Sequence, residues 1–189
     1  MSALLLGLLG LLAVVSPSTA QQGPIPGGSV REGRLSFDGH ATMGDFAGAT
    51  TTVTGEFEGA PSLEGVHGWV AASVQTLVTG NDRRDRDLNK SMESATYPTL
   101  RFELDSASAA PGAQDSLPVT LHGHLLLHGV SREVTLPGLL TVGSEQIRIR
   151  STFPLNLKDY RIGGLTKMLG MLKMHEDITV HVDVTFGLK

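Results

Sequence analysis

From Gly33 to Leu188, nearly every run of four to ten residues alternates apolar with polar side chains and is punctuated by Gly, Pro or Asp. The last run is the clearest: Ile178, Val180, Val182, Val184 and Phe186 share one parity, and Thr179, His181, Asp183 and Thr185 the other. Successive side chains of a pleated strand point to opposite faces, so a period of two means a strand with one apolar and one wet face. Many such strands with little amphipathic helix hide their apolar faces economically in a sandwich or a closed barrel. In a barrel closed with that face inward, the interior becomes a pocket for an apolar ligand.

Runs of this kind at residues 34–41, 51–58, 66–77, 100–105, 117–127, 132–140, 146–155 and 178–186 give about eight strands. Residues 42–48 read as a short turn and residues 106–114 as a surface loop. His128-Gly129-Val130-Ser131 reads as a hairpin connection with Gly where positive φ is needed. In the third run Trp69 falls with His67 on the face opposite Val70, which makes it a surface aromatic. Residues 81–95, rich in Asp and Arg and free of strand pattern, predict a short helix outside the sheet, with Arg84 and Asp85 pinning it to the barrel; Tyr97-Pro98 ends it. The last link is apolar and rich in Met: Leu165, Met168, Leu169 and Leu172 follow the i, i+3, i+4, i+7 spacing of a short helix. Flanked by Gly163-Gly164, which can hinge, this link is expected to cover the barrel mouth as a lid or fill it as a plug.

A chain of 189 residues fits one ordinary domain with accessories. A net charge of −4 with scattered Lys and Arg gives no basic footprint, so nucleic acid is not an expected partner. Residues 3–15 are apolar but for Gly7 and Gly10, and Ser18 and Ala20 suit a signal peptidase. This reads as a signal peptide over residues 1–20, cleaved after Ala20, although no Lys or Arg precedes the run. The run is short of the roughly 20 apolar residues of a membrane-spanning helix, so the mature chain is expected to have no integral span. A flexible Gly- and Pro-rich leader at residues 21–29 and one domain at residues 30–189 complete the expected organisation, with a periplasmic or secreted location. The chain has no cysteine, which excludes disulfides, thiol chemistry, Cys-ligated metal and a lipid on an N-terminal Cys.

His122, His124 and His128 share one strand parity, as two His of a metal site often do. The opposite parity holds Leu121, Gly123, Leu125 and Leu127, so the apolar face claims the interior and the three imidazoles are expected to face water. Zinc would want further ligands, and a metal protein or enzyme on this strand is the alternative reading. No Gly-x-Ser-x-Gly elbow and no Gly-rich phosphate loop after a strand are present. The charge run at residues 82–87 reads as a solvated helix face.

Four blocks, Arg84-Asp85-Arg86-Asp87-Leu88, Tyr97-Pro98-Thr99-Leu100-Arg101-Phe102, Gly123-His124-Leu125-Leu126-Leu127-His128-Gly129-Val130 and Phe153-Pro154-Leu155, resemble the YceI-like family in order and spacing. The likeness spans residues 35–186. It departs from the family pattern at residues 92–95, where an aromatic pair is replaced, and at Asp159-Tyr160-Arg161, which lacks the expected Gly. The resemblance implies an all-β, eight-stranded antiparallel lipocalin-like barrel whose interior binds an amphiphile such as a polyisoprenoid or isoprenoid quinone, with no chemistry.

Strand parity then selects the inward, ligand-facing residues: Leu35, Phe37, Phe57, Val70, Phe102, Leu125, Leu127, Ile149, Phe153, Val180 and Val182, joined by Met168 and Met171 from the link. Gly39, Gly55, Gly68, Ala72, Gly123 and Ser151 share that parity, and their small side chains are expected to leave volume unfilled. The expected partner is a lipid of polyisoprenoid, isoprenoid-quinone or fatty-acyl type. No catalytic residue, metal or other cofactor is expected, and monomer and dimer are both open.

Overall fold

The computed structural model describes residues 24–42, 44–109, 116–163, 166–167 and 172–189. Among these lie ten strands and one α-helix: β1 (Gly28–Ala41), β2 (Gly44–Thr50), β3 (Val53–Glu58), β4 (His67–Ser73), α1 (Asp82–Ser91), β5 (Thr99–Ala109), β6 (Leu117–Leu127), β7 (Val130–Val142), β8 (Gln146–Asn156), β9 (Thr166–Lys167) and β10 (Leu172–Leu188). The antiparallel order β1-β3-β4-β5-β6-β7-β8-β10 closes when β10 pairs back onto β1 along registers such as Phe37↔Val180 and Leu35↔Val182. β2 covers Leu35 to Ala41 of β1 while β3 takes Gly28 and Ser29, so the two share one position and the barrel has eight.

Several boundaries differ from those read in the sequence. Residues 42–48, expected as a turn, hold most of β2, whose inward positions are Phe46, Gly48 and Thr50. With a single large apolar residue among them, the alternation is muted. The expected leader is not free throughout: Ile25 bridges Ala60, and Gly28 and Ser29 already pair on both sides. Strand β5 runs on through residues 106–109 of the expected loop. In the Met-rich link, Leu172 and Lys173 pair antiparallel with Lys167 and Thr166, which replaces the expected helical stripe with extended backbone at those four positions. Leu165, Met168, Leu169 and Met171 lie outside the described residues.

The interior glycines seat aromatic rings rather than leaving voids. Gly48 lies directly opposite Phe37 and Gly39 opposite Phe46, and a Cβ on either would strike that ring. Phe57 is seated between Gly28 and Gly68, and Phe102 reaches over Gly123. A Cβ on Gly55 or Gly123 would also meet a backbone carbonyl, of Trp69 and Glu103 respectively. Gly39, Gly55 and Gly123 therefore do not open space, contrary to the expectation. Gly68, Ala72 and Ser151 do border the cavity described below.

Between β4 and β5, Asn81 caps α1 by accepting from the Arg83 and Arg84 amides at 3.1 Å. Asp85 Oδ1 accepts from the Thr79 amide at 2.8 Å and the Thr79 hydroxyl at 2.6 Å. The Arg84 guanidinium lies 4.7 Å from the centre of the Phe46 ring on β2. Both residues thus fasten the helix as anticipated. α1 stands outside the sheet but crosses one end of the barrel, where Leu88 and the following Met92 turn inward to join the core.

Candidate functional site: an apolar cavity within the barrel

The barrel encloses a cavity of about 210 Å³. Its walls come from the inward rows of the strands, and its upper end is formed by the links: Leu77 and α1 between β4 and β5, then Leu157 and Ile162 after β8, and Met174 at the start of β10. Among the described residues that border it, none carries an ionisable side chain. Ser151 spends its hydroxyl on the Pro137 carbonyl at 2.6 Å. Trp69 directs its indole N–H to Glu56 at 3.4 Å and lies under the Arg101 guanidinium at 4.2 Å, so the ring belongs to the outer surface as expected. Most strand amides and carbonyls are engaged in the ladders, with β7 and β8 paired over Leu139–Val142 and Ile147–Arg150. Such a space accepts hydrocarbon and penalises a polar group by roughly 2–7 kcal/mol for want of a partner.

Leu35, Phe37, Val70, Phe102, Leu125, Leu127, Ile149, Phe153, Val180 and Val182 all border this cavity. Phe57 does not, because it packs edge-to-face on Phe186, with centroids 5.1 Å apart, at the end away from α1. Met168 and Met171 lie outside the described residues. Sequence reading missed Leu77, Leu88, Met92, Leu157 and Ile162, which come from links. The i, i+4 spacing of Leu88 and Met92 on an otherwise charged helix was the one available signal.

The histidines divide. His122 and His124 face outward, with Nδ1 close to Thr135 Oγ1 (3.3 Å) and Asp105 Oδ2 (2.8 Å) respectively. His128, expected to face water, is buried. Strand parity ends before it: His128 and Gly129 both have positive φ, 51° and 72°, as a two-residue hairpin turn of the primed type requires. The turn brings the imidazole against the Tyr97 ring at 4.7 Å and sets Nδ1 3.0 Å from the Tyr160 carbonyl, with Glu93 Oε1 3.6 Å from Nε2. Burial pushes the Tyr160 phenol above its usual range, offset in part by the nearby Arg132 charge. These contacts join the end of α1, the β6–β7 turn and the link after β8 at one end of the cavity. Among the described residues no three ligating side chains converge on a common point.

A closed antiparallel barrel around an apolar cavity, capped by a helix and links, defines a lipocalin-like binding fold. Residues 30–186 match the YceI-like domain, and the chain belongs to that family. No curated protein matches the sequence. Among solved structures it is similar to BcnA of Burkholderia cenocepacia (13% identity, 81% of this chain and 95% of that one, TM-score 0.68). It is also similar to a polyisoprenoid-binding domain from Saccharophagus degradans implicated in plant cell wall breakdown (14%, 87% and 99%, TM-score 0.69). The YceI protein of Campylobacter jejuni is a further relative in fold (18%, 65% and 72%, TM-score 0.52).

Proposed function

We propose that this protein is an exported carrier that sequesters or transports a long apolar or amphiphilic chain, of polyisoprenoid, isoprenoid-quinone or fatty-acyl type, without transforming it. The observation that carries this reading is the cavity itself, enclosed by the barrel and bordered, among the described residues, by no ionisable side chain. The structural likeness to a protein titled a polyisoprenoid-binding domain supports it. Burying one five-carbon isoprene unit contributes up to roughly 4 kcal/mol, at about 0.8 kcal/mol per carbon. A few units therefore outweigh ordering costs of several kcal/mol. At about 210 Å³ the cavity is smaller than the roughly 300–1,000 Å³ of common ligand pockets. A long chain thus needs the links at the α1 end to part, or leaves some of its length outside. Export rests on the apolar N-terminal run, and an intact mass beginning at Gln21 for the mature protein is its check. Among the described residues no helix is long and apolar enough to cross a membrane.

The deciding experiment is organic-solvent extraction of the full chain, purified without detergent, followed by mass spectrometry. A stoichiometric isoprenoid or acyl lipid is expected. An extract free of lipid, together with no uptake of added prenol, quinone or fatty acid, would overturn the proposal.

A further inference from the structure

The inward side chains border the cavity only down to a common level. On β10 Val182 borders it and Val184 does not; on β8 the boundary falls between Ile149 and Ile147. The sheet register sets these steps one inward position apart, since Val184 lies opposite Ile149, which still borders the cavity. Below this level the barrel is filled. Val184 is fully buried, and the edge-to-face pair of Phe57 and Phe186 closes the interior. Phe57 stands directly opposite Gly68, and Gly68 opposite Leu104, both of which still border the cavity. The Phe57 ring is therefore the neighbour immediately beyond the open space. Glycines on both sides hold it there, since a Cβ at Gly28 or at Gly68 would come within 2.7 Å of Phe57.

We infer that this floor is a length gauge and that Phe57 is its specificity-determining residue. A chain entering past α1 gains contact with each added carbon until its end meets the Phe57–Phe186 layer; further carbons remain outside and gain nothing. The end that meets the floor must be hydrocarbon, because the side chains there are apolar but for Ser151, whose hydroxyl proton is donated to the Pro137 carbonyl. The inference rests on the carrier reading and adds to it where the measured length ends.

The test titrates the full, delipidated chain with geraniol, farnesol, geranylgeraniol and longer prenols. In the native protein each added unit should tighten binding about tenfold or more, then reach a plateau. Phe57→Ala should move the plateau one isoprene unit longer. Leu104→Phe, which adds bulk to the open space rather than to packed core, should move it one unit shorter. If Phe57→Ala fails to fold, Leu104→Phe decides alone. A plateau unmoved in folded Leu104→Phe, or affinity that rises without a plateau in the native protein, overturns the gauge. Binding of no prenol at all overturns the carrier reading and the gauge with it.

Discussion

Asp183 stands on the outer face of β10, where both of its carboxylate oxygens accept from Arg148 on β8, the Nε contact at 2.7 Å. That hydrogen bond, more than the surrounding charge, holds the Asp183 carboxyl below its ordinary value of 3.8 against a smaller opposing effect of burial. A depressed folded-state value gives stability that is present above the unfolded-state value and lost as pH falls through the folded one. Because the pair is partly exposed, its contribution lies within about 1 kcal/mol. Asp183→Asn should therefore lower the urea midpoint slightly at neutral pH. The two proteins should converge as the pH drops below about 3.9, and a gap that persists at low pH would assign the effect to packing instead. This outward residue was legible in the sequence by parity alone; its partner was not, because the register of β8 against β10 is a property of the closed sheet.

At the scale of elements, the strands that alternate several large apolar residues with polar ones were readable, and β6 was placed to the residue. β2 was not, since its inward positions include Gly48, whose role as the seat of Phe37 exists only once β1 lies beside it. His128 escaped for a related reason: a strand's parity does not carry into a turn whose residues have positive φ. α1 was found through its charge run, but its place across the barrel end follows from fastenings to Thr79 and Phe46 that no local pattern contains. Asp85→Ala would remove the partner of both the Thr79 amide and the Thr79 hydroxyl. The expected result is a loss of about 1–2 kcal/mol in unfolding free energy, with faster amide exchange concentrated in residues 82–92. Exchange that quickens equally in β8 and β10 would show that the helix is held by something other than this clasp.

The molecule as a whole couples stability against function through its cavity. Closure of first strand on last, with Lys189 N–H donating to the Gly27 carbonyl at 3.0 Å, joins the sheet into a barrel and bounds the interior volume. An empty apolar space costs on the order of 24 cal/mol per Å³, so a void of about 210 Å³ forgoes roughly 5 kcal/mol in the unliganded protein. Natural packing could recover part of this with larger side chains, and a bound chain recovers it by contact. Ala72 is the direct probe: it borders the cavity, is buried, and lies opposite Val53 and Leu100, which border it too. Ala72→Leu should raise the melting temperature of the lipid-free protein by a few degrees, at about 2–4 °C per kcal/mol for a chain of this size. It should also weaken prenol binding about tenfold or more, because the added carbons occupy space the ligand needs. A variant that is destabilised yet binds prenol as tightly as the native protein would place the ligand outside this cavity.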